Sequence, residues 1–171
     1  MRKKILLADD SRTALMIERA LLVGSPYDVI VATDGYDAVQ QAVESNPDLI
    51  ILDVVMPRVD GFEVCRRVRS HPALQFTPVI FVTRKGDVEQ RVRGLEVGGN
   101  DYISKPFEPE ELIARVRSHL IRLSALREVA IRDGLTRCYN HKFFKVRLAQ
   151  EIARAKRYRS PLTLGMLDVD R

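Results

Sequence analysis

The chain has no tryptophan, only two cysteines and three histidines, and no apolar run near the ~20 residues that cross a bilayer. Each absence removes a class of function. Cys65 and Cys138 stand in no Cys-x-x-Cys or Cys/His spacing, so neither a zinc site nor a disulfide framework organises the fold, and two buried or idle thiols are expected. The opening MRKKILLADDSR puts acids where a secretory leader needs an unbroken apolar stretch, so a cytoplasmic protein with no membrane partner is expected. What is present is a globular mixture, 46% hydrophobic and 30% charged among 171 residues. Domains cluster near ~100–150 residues, so one complete domain and part of a second fit this length.

The net charge of +5 is unevenly placed: residues 1–108 carry 14 basic and 16 acidic side chains, whereas 109–171 carry 14 and 7. A basic second half suits nucleic acid or an anionic nucleotide, and a solvated helix face gives the same count.

Five short β-branched runs recur at regular intervals: KKILLAD, DVIVATD, LIILDVV, TPVIFVT and DYISKP. Helical spacing fills the gaps. Leu15, Ile17, Ala20, Leu21 and Leu22 mark a first amphipathic face, and further helices start at Gly35, Gly61 and Asp87. Strand runs that are apolar on both parities are buried on both faces, which predicts a doubly wound α/β fold with a parallel sheet between helices. Such sheets carry their reactive groups at the carboxyl ends of the strands. That rim collects Asp9 and Asp10 after the first run, Asp53 after the third, Thr83 after the fourth and Lys105 after the fifth. Any one of them alone reads as a helix cap or turn residue.

Together they can do more. Three clustered carboxylates repel one another unless a cation sits among them, and hard oxygen ligands suit magnesium. A carboxylate beside the metal can act as a nucleophile and form an acyl phosphate. Lys105 would neutralise one phosphoryl oxygen and the Thr83 hydroxyl would donate to another.

The motifs LLADDSR, LIILDVVMPRVDGFEV, VIFVT and GGNDYISKPF resemble those of bacterial response regulator receiver domains over residues 1–120. The resemblance implies a flavodoxin-like five-stranded parallel sheet of order 2-1-3-4-5, to which the sequence adds an extended C-terminal helix. It also implies that Asp53 is the phosphoacceptor and that Asp10 and Asp53 bind magnesium with the Val55 carbonyl. Asp9 acts through metal-bound water and Lys105 contacts the phosphoryl group. Lys105-Pro106 is expected to be cis, and Thr83 and Tyr102 to form a switch pair that reshapes the face made by the fourth helix, fifth strand and fifth helix. One position departs from the family: the residue after the switch threonine, usually small, is Arg84, followed by Lys85.

From Pro109 a helical run continues to Gly134, with residues 121–132 read as a stalk. Ile113, Val116, Leu120, Leu123, Leu126 and Ala130 step by three or four, a spacing that suits parallel pairing or a plain amphipathic linker; His119 is expected to be solvated. Residues 133–171 resemble the start of a GGDEF diguanylate cyclase domain, an incomplete α/β second domain. The match is carried by Asp133, Leu135, Thr136, Tyr139, Asn140 and Phe144, with Asp168 aligned to a metal-ligating aspartate. The GGDEF signature itself is absent, so no synthesis of cyclic di-GMP is expected.

The expected function is a response regulator that is phosphorylated on Asp53 by a sensor histidine kinase or phosphotransfer protein. Phosphorylation would control homodimerisation, through the receiver face and stalk, of a truncated cyclase output. A stand-alone phosphorylation-dependent adaptor is the alternative. A nucleic-acid-binding output is the weakest reading, because no recognition-helix pattern follows the stalk.

Overall fold

Alternation along the strands sorts the core into two layers. The computed structural model describes residues 2–22, 26–84, 88–131, 133, 135–136 and 138–165. The chain divides into two compact units, Met1–Leu123 and Ser124–Arg171.

In the first unit β1 (Lys3–Ala8), β2 (Tyr27–Ala32), β3 (Leu49–Asp53), β4 (Val79–Arg84) and β5 (Asp101–Lys105) form one parallel sheet. The order is β2-β1-β3-β4-β5, as expected. Four helices join the strands: α1 (Arg12–Leu22), α2 (Gly35–Ser45), α3 (Gly61–Ser70) and α4 (Val88–Glu96); α5 (Pro109–Ile131) follows β5. Leu6, Ala8, Ile50, Leu52, Val79 and Phe81 point to one face and meet Ala38 and Ala42 of α2 with Phe62, Cys65 and Val68 of α3. Their neighbours in sequence, Ile5, Leu7, Leu49, Ile51, Ile80 and Val82, point to the other face, against Leu15 and Leu22 of α1 and Leu112, Val116 and Leu120 of α5. The strand order reverses at β1 and β3, so the crevice beyond their carboxyl ends is left open between the two helical layers.

Two helix starts are set by caps. The Asp34 side chain accepts from the amides of Tyr36 and Asp37 at 2.8 and 2.9 Å, and Asp60 accepts from the Glu63 amide at 2.7 Å. Gly61 then opens α3 flush against the end of β3. A Cβ there would lie 2.3 Å from the Asp53 carbonyl oxygen, so only glycine permits the approach. α4 begins at Val88, and Asp87 lies outside the described residues.

Three expectations are corrected. The buried stripe of α1 is Leu15, Glu18 and Leu22, while Ile17 is 56% exposed and Ala20 is exposed. The apolar residues do mark a stripe, but its centre is an acid. On α5, Val116 and Leu120 are buried in the core of their own unit, so these two cannot serve a pairing seam; the side chains of Leu126 and Ala130 lie outside those described. His119 is buried rather than solvated, with its Nε2 3.1 Å from Asp101 Oδ2.

In the second unit the DGLTRCYN stretch closes on itself. Asp133 Oδ1 accepts from the amides of Leu135 and Thr136 and from the Thr136 hydroxyl, at 3.2, 2.9 and 2.8 Å. Asn140 caps α6 (His141–Tyr158) by accepting from the Phe143 amide at 2.9 Å, and Tyr139 stacks on Phe143 with centroids 4.4 Å apart. Residues 161–165 have no regular structure, and Asp168 lies outside the described residues. No helix among the described residues is long and apolar enough to cross a membrane.

Candidate functional site

Parallel strands of matched register deliver their last residues to one rim. In-register pairing sets Ala8 beside Leu52, Asp53 beside Val82, and Arg84 beside Lys105. The residues at these ends line a cavity of about 250 Å³: Asp9, Asp10, Ser11, Asp53, Val55, Arg84 and Lys105. One oxygen from each of Asp9, Asp10 and Asp53 lies within 4.8 Å of the others.

Lys105 stands between two of these acids. Its Nζ donates to Asp9 Oδ2 at 2.5 Å and to Asp53 Oδ2 at 3.0 Å. The Val55 amide donates to Asp53 Oδ1 at 3.2 Å, and the Ser11 amide donates to Asp9 Oδ1 at 2.8 Å. Asp9 is 1% exposed and Asp10 is exposed, so the site runs from a buried floor to an open rim. Lys105-Pro106 is cis, as expected.

One ammonium does not balance three carboxylates. Burial pushes the Asp53 carboxyl above its ordinary range; the Lys105 hydrogen bond opposes this, and the Asp9 charge adds to it. Burial works against the Lys105 charge too, but its hydrogen bonds to Asp9 and Asp53 outweigh that and hold the ammonium above the usual lysine range. Lysine therefore stays charged while the acids remain in excess. Oxygen donors of excess negative charge, converging from separate strands, suit a hard divalent cation, so the donor set fits magnesium.

Thr83 and Tyr102, the expected switch pair, sit around this rim rather than in it. Thr83 is 2% exposed and its hydroxyl donates to the Arg84 carbonyl at 3.4 Å. Tyr102 is half-buried and stacks on Phe81, with centroids 5.5 Å apart and planes inclined by 20°. Gly94 of α4 makes room for that ring, since a Cβ there would lie 1.9 Å from the Tyr102 hydroxyl oxygen.

Sequence reading missed two groups: Gly94, which only the close contact reveals, and Glu18, which is 3% exposed with no partner for its Oε1 among the described residues. Burial pushes the Glu18 carboxyl up to about 7; Lys105 lowers it, and the Asp9 and Asp53 charges raise it further. Electrostatically Glu18 belongs to the rim cluster, although it does not line the cavity. The available signal was its spacing, three residues after Leu15 and four before Leu22.

Comparison with known proteins gives the same fold and family. Residues 5–117 match the response regulator receiver domain. The alkaline phosphatase synthesis transcriptional regulatory protein PhoP of Bacillus subtilis is 44% identical over 122 residues, which cover 71% of this chain and 50% of PhoP. The chain thus spans about half the length of such regulators. A response regulator from Chloroflexus aurantiacus superposes with a TM-score of 0.69 at 39% identity, covering 71% of this chain and all of its own. The receiver domain of the sensor histidine kinase PA1611 from Pseudomonas aeruginosa, solved with magnesium in its active-site cleft, superposes at 0.65 with 29% identity, covering 70% of this chain and 98% of its own.

Proposed function

We propose that this chain, which belongs to the response regulator receiver domain family, takes a phosphoryl group onto Asp53 and thereby controls an output in its second half. The observation that carries this reading is the placement of Asp53: its Oδ2 is 3.0 Å from Lys105 Nζ, inside a cluster with Asp9 and Asp10. Asp53, Asp10 and the Val55 carbonyl would hold magnesium, with Asp9 reaching it through water. Bound magnesium screens the carboxylates and draws negative charge from a phosphoryl oxygen.

The chemistry of the protein groups follows from their positions. An Asp53 carboxylate oxygen attacks phosphorus; the bond from phosphorus to the donor breaks, and its electron pair leaves with the donor. Lys105 follows the charge from the carboxylate to the phosphoryl oxygens, while Asp9 keeps the ammonium anchored. Thr83 turns its hydroxyl from the Arg84 carbonyl to a phosphoryl oxygen, and Tyr102 responds through Phe81, which stacks on it and stands beside Leu52 of β3. One charge-assisted hydrogen bond is worth ~1.5–3 kcal/mol, and moving a two-state switch from mostly off to mostly on takes ~5 kcal/mol, so several contacts must act together.

The donor is a sensor histidine kinase or phosphotransfer protein in the cytoplasm. The output is the beginning of a diguanylate cyclase domain over residues 133–171, joined by a stalk at 121–132 and paired as a homodimer. The closed turn at Asp133 and the Asn140 cap support a defined start to that domain. The exposed Val88, Val92 and Leu95 of α4 support pairing through the receiver face, in place of the buried α5 residues. A stand-alone adaptor would use the same phosphoacceptor without an output.

Asp53→Ala should abolish labelling by phosphoramidate in the presence of magnesium, measured as the intact mass of the chain. Labelling that persists at wild-type level would remove Asp53 from its role.

A further inference from the structure

Arg84 is the one charged residue lining the rim cavity that the phosphoacceptor reading leaves without a task. It ends β4, in register with Lys105 of β5, and lines the same cavity as Asp9, Asp10 and Asp53. Its side chain is exposed and makes no ion pair or hydrogen bond among the described residues. Arg84 shares this with Arg12, Arg19, Arg117 and Arg122 among the described arginines of the unit, while Arg58, Arg66, Arg67, Arg93 and Arg115 are ion-paired; Arg84 alone of them lines the rim cavity. Lys105 holds Asp9 and Asp53, and Arg84 makes no ion pair with Asp10 among the described residues.

Charge counting says when Arg84 is needed. Three carboxylates, one ammonium and a divalent cation sum to zero. Phosphorylation replaces one carboxylate by a group of charge about −2, which leaves the site one negative charge in excess. A guanidinium restores neutrality, and its planar fork matches two oxygens of one phosphoryl group. Before phosphorylation the same cation is surplus, because it repels the metal.

We infer that Arg84 is a second phosphoryl-binding cation, which clamps the group on Asp53 from the β4 side and favours the phosphorylated site over the empty one. The inference rests on the phosphoacceptor reading of Asp53. Thr83 and Arg84 are then coupled: the threonine hydroxyl that turns to the phosphoryl group leaves the carbonyl of the residue whose side chain binds the same group.

Beryllium fluoride, which mimics a bound phosphoryl group, separates the two claims when titrated calorimetrically into the full chain with saturating magnesium. Arg84→Ala should weaken beryllofluoride binding about 10-fold, the loss of one charge-assisted contact. Magnesium alone should bind that variant at least as tightly as it binds the wild type, because a repelling charge is gone. Arg84→Lys should recover part of the beryllofluoride affinity, keeping the charge without the fork. Unchanged beryllofluoride affinity in Arg84→Ala, or an equal loss of magnesium and beryllofluoride binding, overturns the clamp. Asp53→Ala is the parallel control: if the wild type takes up no beryllofluoride, or Asp53→Ala takes it up equally well, the phosphoacceptor reading fails first. If only Asp53→Ala loses it, the clamp alone falls.

Discussion

Two acidic centres in the receiver unit, around Asp53 and around Asp101, use the same residue type to opposite ends. Asp101 accepts from Arg115 Nη1 at 2.7 Å and from the Tyr102 amide at 2.8 Å, and lies 3.1 Å from His119 Nε2. Burial alone would raise its carboxyl, yet the hydrogen bonds from Arg115, Tyr102 and His119 bring it below the ordinary range. Asp53 has one shared ammonium and a buried like charge nearby, and stands above the ordinary range. One centre is neutralised by its neighbours and contributes to stability. The other is left short of positive charge, which weakens the fold slightly and creates affinity for a metal ion and a phosphoryl group.

The largest effect that sharpens this contrast is expected at Glu18. Its folded-state value of about 7 exceeds the 4.5 of an ordinary glutamate. Below 4.5 the acid is neutral in both states; between 4.5 and 7 folding requires it to stay protonated; above 7 the full cost applies. At 1.36 kcal/mol per pH unit the cost is about 3 kcal/mol at pH 8. Glu18→Met, similar in length and apolar, should therefore raise stability by about 4 kcal/mol at pH 8, this cost together with about 1 kcal/mol for the unpaired Oε1. At pH 4 the gain should shrink to about 1 kcal/mol, the cost of the unpaired Oε1. Urea melts at the two pH values measure both, and a gain independent of pH would show that burial does not raise the Glu18 carboxyl.

The next effect is at Asp53 itself. Asp53→Asn removes one of three carboxylates that share a single ammonium, so without magnesium the variant should be more stable than wild type by about 1 kcal/mol. Added magnesium should stabilise the wild type by mass action and leave Asp53→Asn nearly unmoved. Thermal melts with and without the ion test this, and an equal magnesium response in both proteins would place the metal elsewhere.

These residues also mark how far sequence could lead. The five strands and the rim acids were legible because a strand run ends where its apolar alternation ends, and in a parallel sheet every such end faces the same way. Glu18 was not, since a stripe read from apolar residues skips an acid in its centre; Ile17 entered the predicted face in its place. The α5 spacing was real but did not name its partner: Val116 and Leu120 repeat at the interval of a pairing seam and are buried in the core of their own unit. His119, judged solvated from its polar neighbours along the helix, finds Asp101 across the sheet edge, a contact 18 residues away that no local pattern encodes. Arg84 stood out as a departure from the family, and its place on the rim cavity, in register with Lys105, became visible only in the structure.

The smallest effect tests the stabilising side of the comparison. Asp101→Asn keeps the shape and one acceptor oxygen but leaves Arg115 with only Glu111 as a charged partner, which bonds to the same guanidinium at 2.8 Å. Because the Asp101 carboxyl is held below its unfolded value, its contribution is present above that value, near ~3.9 for an ordinary aspartate, and is lost as pH falls through the folded one. The variant should therefore be less stable by about 1 kcal/mol at pH 7, with the deficit vanishing in strong acid. That dependence runs opposite to the one at Glu18, whose substitution gains most at high pH. If Asp101→Asn and Glu18→Met shifted stability in the same direction as pH rose, the division between a neutralised acidic centre and a charge-deficient one would be wrong.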